Sequence, residues 1–352
     1  MLSAGAAGPP RHGGSPMRRR QVLGRAVWAS SLILGGCVPV VVPSGPEVRS
    51  PGLSTRSFAM SDGQDLPYFA WLPPDTPRAV ILGLHGFGDY SRNAFDIPAA
   101  AFTGQGVALY AYDQRGFGAA PHRGLWPGVP TLVADCAACL GLVAERHPGT
   151  PIFLLGESMG AAVALVLAAR RPALPVAGYI LSAPGVRGRA GMSEFSRKTL
   201  EIASRLIPAV GFSGAAPGFS PSDNEDAMRR WSRDPLTAKE FRVDLVYGLV
   251  DLMDQALDAA SRFDQRALIL YGAQDRIVPP EPLRRLLAIM PANPDRRIAY
   301  YRQGHHLLLR DRGRALVIDD ILAWLDQPGA PLPSGADLAA QEWLAPEHAG
   351  DG

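Results

Sequence analysis

The chain of 352 residues is poor in cysteine: Cys37, Cys136 and Cys139 are all it has. Three thiols cannot staple a disulfide scaffold, and they lack the second ligand pair of a structural zinc site. Cys136 and Cys139 fall in one helically patterned stretch, where an oxidised pair would strain the backbone, so they read as small buried residues and not as a redox centre. An excess of charge of one sign is also missing. Lys and Arg total 35 against 33 Asp and Glu, a formal net charge of +2; no field draws the chain to nucleic acid, and a small molecule is the expected partner. No glycine pattern follows the first strand as a dinucleotide site requires, and no group of His, Asp and Glu has metal spacing, so neither cofactor nor metal is expected. The apolar run at 26–36 is too short to span a bilayer.

That run belongs to a targeting pattern. Met17 opens Arg18-Arg19-Arg20-Gln21-Val22-Leu23-Gly24, a basic, twin-arginine-like head, and the apolar run after it ends in Leu34-Gly35-Gly36-Cys37. The ending resembles a bacterial lipoprotein signal in which Cys37 carries the lipid; a plain cleaved secretory leader is the alternative. Either places the mature protein outside the cytoplasm. The expectation is a bacterial cell-envelope protein facing the periplasm and held to a membrane through an N-terminal lipid anchor, or a secreted one if Cys37 is not used. Residues 1–37 are therefore set apart as a signal segment, with 1–16 upstream of the signal proper. Residues 38–55, rich in Pro, Val, Ser and Gly, read as a flexible tether, 56–326 as the folded domain, and 327–352 as a disordered tail with at most a turn near Trp343.

Within 56–326 the pattern changes once. Two strands, at 56–60 and 66–71, flank the turn dipeptide Asp62-Gly63 and predict an antiparallel hairpin. Short continuous apolar runs then recur at 79–84, 107–112, 152–155, 178–181, 267–271 and 298–301, as expected of strands buried on both faces of a parallel sheet. Helical stretches at 92–102, 132–146, 159–171 and 282–290 alternate with most of them, and 314–324 closes the series. Strand and helix in alternation predict right-handed crossovers and a three-layer α/β architecture: a mostly parallel central sheet flanked by helices. About eighty residues between Pro184 and Gln265 are far too many for a crossover. They read as a helical cap over roughly 187–264, inserted after the sixth strand of this reading. Phe195, Leu200, Ile202, Leu206, Ile207, Val210, Phe212, Leu245, Val246 and Leu249 are candidates to line an acyl pocket or simply to pack the cap.

Gly156-Glu157-Ser158-Met159-Gly160 follows the strand at 152–155 and precedes the helix at 159–171. A serine on so sharp a strand-to-helix turn needs a strained backbone, glycines on both sides for close approach, and leaves its hydroxyl exposed at a helix N-terminus that favours negative charge. Acyl transfer also needs donors for the oxyanion. His85-Gly86-Phe87-Gly88 lies just past the strand at 79–84, so the backbone N–H groups of Phe87 and Met159 are the candidate pair, with His85 shaping the loop. Asp275, in the loop after 267–271, is the candidate acid. The base is one of the adjacent pair His305 and His306, in the loop after 298–301, since only one of two neighbours can face Ser158. The chain order Ser, Asp, His suits loops that meet above one sheet. His122 and His147 receive no catalytic role.

These motifs together resemble the monoacylglycerol lipase and lysophospholipase-like group of α/β-hydrolases, which overlaps the serine aminopeptidase group. The resemblance runs from about Phe58 to Leu325 and rests on His85-Gly86-Phe87-Gly88-Asp89, Tyr112-Asp113-Gln114-Arg115-Gly116-Phe117-Gly118, the Ser158 elbow, Gly272 to Pro279, and Gly304-His305-His306-Leu307-Leu308. It implies the α/β-hydrolase fold, Ser158 as nucleophile, Asp275 as acid, and His306 as base, with His305 at the pocket rim and Asp113 and Arg115 bracing a neighbouring loop. The group's lipases carry histidine before the nucleophile where this chain has Glu157. The expected function is hydrolysis of carboxylic esters, with monoacylglycerols, lysophospholipids or similar hydrophobic acyl esters as substrates. Two alternatives stay open: an envelope exopeptidase holding a substrate ammonium with Asp223, Glu225 and Asp226, and a non-catalytic binding protein on the same fold.

Overall fold

A computed structural model describes residues 38–213 and 220–345. The signal-like segment, with Cys37, lies outside the described residues. Among the described residues no helix is long and apolar enough to cross a membrane.

Among the described residues nine strands form one sheet. In chain order they are β1 (Gly52–Leu53), β2 (Ser57–Ala59), β3 (Asp65–Trp71), β4 (Ala79–Leu84), β5 (Val107–Tyr112), β6 (Ile152–Glu157), β7 (Gly178–Ser182), β10 (Ala267–Gly272) and β11 (Arg296–Tyr301). The spatial order is β1-β2-β3-β5-β4-β6-β7-β10-β11. The first three strands join antiparallel, through the predicted Asp62-Gly63 turn, where Gly63 adopts φ 85°. The rest are parallel, Leu82 sitting between Tyr110 of β5 and Leu154 of β6. Side chains of a strand alternate between faces, and the two faces bury separate cores: Val80, Leu82, Leu154, Leu181 and Ile269 on one, Ile81, Phe153, Leu155, Ile180 and Leu268 on the other. Helices α1 (Ser91–Gly104) and α8 (Arg314–Asp326) cover the second face, and α2 (Val129–Arg146) and α3 (Met159–Arg170) the first. α7 (Pro280–Ile289) follows β10. The mostly parallel sheet flanked by helices is the expected α/β-hydrolase fold.

The insertion between β7 and β10 holds α4 (Glu194–Leu206), α5 (Glu225–Arg233), α6 (Val243–Ala260) and a small hairpin of β8 (Gly211–Ser213) and β9 (Glu240–Arg242). Its last third differs from expectation. α6 buries Leu252, Ala256, Ala259 and Ala260 in the core that holds α3, so it is part of the body and the cap ends near Arg242. Apolar residues at helical spacing mark a helix that packs, but not which surface it packs on.

Two further expectations are corrected. Residues 38–53 are not a free tether: the Val42 N–H donates to the Trp126 carbonyl at 2.8 Å, Ser44 N–H to Thr131 Oγ1 at 3.1 Å, and Gly52–Leu53 pairs with β2. Body groups remote in sequence satisfy this strap's backbone, which local composition does not reveal. The tail likewise forms α9 (Ala336–Leu344), whose Trp343 stacks on Tyr300 at 4.9 Å and on Tyr271 at 5.6 Å, with the Arg284 guanidinium 4.7 Å from its ring. It lies against β11, the edge that would otherwise stand open.

Candidate active site

β6 ends at Glu157 and α3 begins at Met159, so Ser158 alone makes the turn. Its φ of 54° and ψ of −109° are strained for a residue with a Cβ, at roughly 1–3 kcal/mol. The surroundings hold it there: Ser158 N–H donates to the Ser182 carbonyl at 2.9 Å, and the Ser158 carbonyl accepts from Gly185 N–H at 2.9 Å and Ala161 N–H at 3.1 Å. Both flanking glycines are required sterically. A Cβ on Gly156 would strike the Ala161 backbone, and one on Gly160 the Leu84 carbonyl oxygen. Ser158 stays half-exposed above a buried strand, leaving its hydroxyl reachable.

The loop after β4 runs beside it, since a Cβ on Gly86 would lie 3.6 Å from Ser158 Cβ. His85 clamps this loop. Gln114 N–H donates to His85 Nε2 at 3.0 Å, which leaves Nδ1 to donate to the Gly86 carbonyl at 2.8 Å, and Gln114 Nε2 donates back to the His85 carbonyl at 2.8 Å. Burial pushes the pKa of His85 down, consistent with a neutral ring. Phe87 N–H and Met159 N–H are thus carried on two held backbones on either side of the serine; the latter is a first-turn N–H with no partner inside its helix.

The cap reaches this loop. Phe241 stacks on Phe87 at 4.7 Å, and Ala238 N–H donates to the Gly88 carbonyl at 2.8 Å. Beside the contact, an open cavity of about 550 Å³ is lined by Gly88, Phe117, Arg123, Asp234, Lys239 and Leu245 among others, and neither Ser158 nor His306 lines it.

The loops after β10 and β11 lie against each other because a Cβ on Gly272 would collide with the Gly304 backbone. Gln274 N–H donates to the Gly304 carbonyl at 2.8 Å. Of the two adjacent histidines, His306 faces the acid: its Nδ1 is 2.7 Å from Asp275 Oδ2, both residues buried. Asp275 Oδ1 accepts from Ile277 N–H at 2.8 Å and Val278 N–H at 3.0 Å, so the two backbone donors and His306 fix the carboxylate's orientation. His306 Nδ1 then carries the proton and Nε2 is the basic nitrogen. His305 turns away and sits 3.4 Å from Asp311 Oδ2. A serine, an imidazole oriented by a buried carboxylate, and two free N–H groups can carry out acyl transfer.

Asp113 braces the neighbouring loop, its Oδ1 accepting from Ser91 N–H at 3.0 Å and its Oδ2 from Ala119 N–H at 2.8 Å, while buried Arg115 pairs with Asp135 and Asp62. The acidic residues proposed for an exopeptidase are engaged elsewhere: Glu225 and Asp226 are exposed and paired with Arg229, and Asp223 accepts from Arg312 N–H. Most of the suggested acyl-pocket residues do not form a wall either. Phe195, Ile202, Leu206, Ile207, Val210 and Phe212 are exposed, whereas Leu245 is buried. α4 buries only Ser204, so its apolar side is left to solvent.

Sequence reasoning passed over Gln114 as the clamp of His85, and Arg310. The latter is a fully buried guanidinium four residues beyond His306, bonded to Asp89 at 2.6 Å and Glu157 at 2.5 Å. A signal for it existed: Arg310 directly closes the apolar run Leu307-Leu308-Leu309, the first of the three arginines at 310, 312 and 314.

The chain is similar in sequence and in fold to several known proteins. The family model described as "Serine aminopeptidase, S33" matches residues 75–313. A monoacylglycerol lipase of Mycolicibacterium smegmatis is 26% identical over 284 residues, covering 77% of this chain and 96% of the relative. The human monoglyceride lipase is 26% identical over 301 residues, covering 80% and 96%. Among solved structures, the Paleococcus ferrophilus monoacylglycerol lipase superposes with a TM-score of 0.62 at 25% identity, over 75% of this chain and 99% of that one. A soluble variant of the Saccharomyces cerevisiae monoglyceride lipase gives 0.65 at 20% identity, over 81% and 100%, a likeness of fold. With more than half of its length matched by that family model, the chain belongs to the serine aminopeptidase S33 family of α/β-hydrolases.

Proposed function

We propose that this serine ester hydrolase cleaves monoacylglycerols and similar single-chain acyl esters through an acyl-enzyme on Ser158. Ser158 Oγ attacks the ester carbonyl while His306 Nε2 takes its proton, and Asp275 stabilises the resulting imidazolium. The oxyanion is received by the N–H groups of Phe87 and Met159. His306 then protonates the leaving alcohol, and water activated by the same imidazole releases the acid. The observation that carries this reading is the pair of buried His306 and Asp275 at 2.7 Å, in loops at the same end of the parallel sheet as a serine held at positive φ. Ester substrates with one acyl chain are supported by the monoacylglycerol and monoglyceride lipases among the relatives, and by the exposed apolar side of α4, suited to substrates presented by an apolar phase. Attachment to a bacterial envelope through lipid on Cys37 is part of the proposal. It predicts that Cys37→Ser moves the protein from the detergent to the aqueous phase on Triton X-114 partition.

The test of activity is a chain-length series of chromogenic acyl esters together with monoacylglycerols, using the full chain and Ser158→Ala as blank. Rates that peak at medium or long chains and vanish in the variant are expected. Hydrolysis confined to acetyl esters, or surviving in Ser158→Ala, refutes the reading.

A further inference from the structure

Three parts of the reaction centre come from three different strands: the oxyanion loop from β4, the nucleophile from β6, the base from β11. One buried side chain touches all three segments. Arg310 lies on the base loop; its Nη1 donates to Asp89 Oδ2 at 2.6 Å, and its Nη2 to Glu157 Oε1 at 2.5 Å. Asp89 is two residues past Phe87 and anchors the start of α1 through the Tyr90 N–H at 2.9 Å and Asn93 Nδ2 at 2.7 Å. Glu157 is the residue immediately before Ser158. The Arg310 carbonyl also accepts from Asn224 Nδ2 at 2.8 Å, tying the cap's 221–224 segment to the same loop.

We propose that Arg310 and Glu157 form a positioning brace for ester hydrolysis, the guanidinium holding the His306 loop and the Phe87 loop in register with the Ser158 elbow. The inference rests on the serine-hydrolase reading of the site.

Two features argue for position over stability. A buried network of one cation and two carboxylates is a poor stabiliser, because desolvation offsets much of the Coulomb gain. This one also leaves Glu157 Oε2 and Arg310 Nε buried without partners, an expense that apolar side chains of similar volume would avoid. Its geometry suits registration instead. The planar fork presents separate nitrogens to two acceptors on different segments, so both segments are fixed relative to one rigid group. Burial pushes the Glu157 carboxyl upward against the opposing pull of Arg310, while the two carboxylates hold Arg310 charged.

Glu157→Met removes the elbow link at nearly constant volume and leaves Arg310 and Asp89 as a charge-balanced pair, so the fold is expected to hold. Glu157→Gln keeps an acceptor for Arg310. Both would be compared with wild type by thermal melt, by kcat and KM on a short chromogenic ester, and by the second-order rate of phosphonylation with a small fluorophosphonate. That probe reports the nucleophile, base and oxyanion donors with little demand on acyl binding. The expected result is a 10- to 100-fold loss in kcat and in phosphonylation for Glu157→Met with KM within threefold, and recovery to within about threefold of wild type in Glu157→Gln. A folded Glu157→Met with wild-type kcat overturns the proposal. So does a Glu157→Gln no better than Met, or loss of the fold in both, which would make the network one of stability. Inert wild type would instead count against ester hydrolysis itself.

Discussion

Asp275→Asn is the substitution whose outcome the local geometry constrains most. The Asp275 carboxylate is gripped from two sides: Oδ1 accepts from the Ile277 and Val278 N–H groups, and Oδ2 faces His306 Nδ1. An asparagine has one oxygen and one NH2 group. Only the oxygen can accept from the two backbone donors, and losing both would cost about 1–3 kcal/mol per orphaned group. The amide oxygen therefore takes the Oδ1 position and the NH2 points at His306. Nδ1 must then accept, Nε2 carries the proton, and the imidazole cannot remove a proton from Ser158. A wrong tautomer of this kind costs about 10⁴ in kcat in the chymotrypsin-type triad, close to 5.5 kcal/mol at 1.36 kcal/mol per tenfold. Near-isosteric replacement should leave the thermal melt within a few degrees. The assay is initial rate on a chromogenic ester in protein purified free of wild type, with the melt alongside. A folded Asp275→Asn retaining more than about a tenth of wild-type kcat would refute both the tautomer argument and the role of Asp275.

Other consequences are open to test. Gly160→Ala places a methyl against the Leu84 carbonyl oxygen, and the overpacking, about 1–3 kcal/mol or more, should appear as a lowered melt and lost soluble yield; an unchanged melt would mean the elbow has slack. Trp343→Ala removes the ring stacked on Tyr300 and Tyr271 and should cost on the order of 2 kcal/mol, with hydrogen exchange accelerated across α9 and esterase activity within twofold; protection equal to wild type would contradict the docked tail. His85 has a folded-state pKa below its ordinary 6.5 because it is buried. Its contribution to stability is thus complete above about 6.5 and declines as pH falls toward the lower folded value, since the unfolded chain takes up the proton first. Denaturant midpoints between pH 7.5 and 5.5 should fall, and fall less in His85→Gln; identical slopes would remove His85 as the cause.

Much of the architecture was legible in the sequence because it rests on local rules. Apolar runs of four to six residues between helical stretches specify a parallel sheet, since only a strand covered on both faces can be apolar at every position. The Gly-x-Ser-x-Gly turn was legible because Gly156 and Gly160 are needed by contacts that follow from the turn itself. Chain order placed Asp275 and His306 in loops after consecutive strands of the sheet. Composition misled at both ends of the folded body. The strap at 38–53 and helix α9 look unstructured residue by residue, and what orders them is supplied from far along the chain by Trp126, Thr131, Tyr271 and Tyr300. By itself, then, the sequence determined the sheet and the elbow, set by periodicity and short-range sterics, and pointed to Ser158, Asp275 and His306 through chain order and family resemblance. Tertiary structure alone decided that α6 packs on the body while one side of α4 faces solvent, and that Arg310 joins Asp89 to Glu157, while the approach of His306 to Asp275 followed the family motif. Each of these depends on which way side chains point between segments distant in sequence, and no local pattern encodes direction.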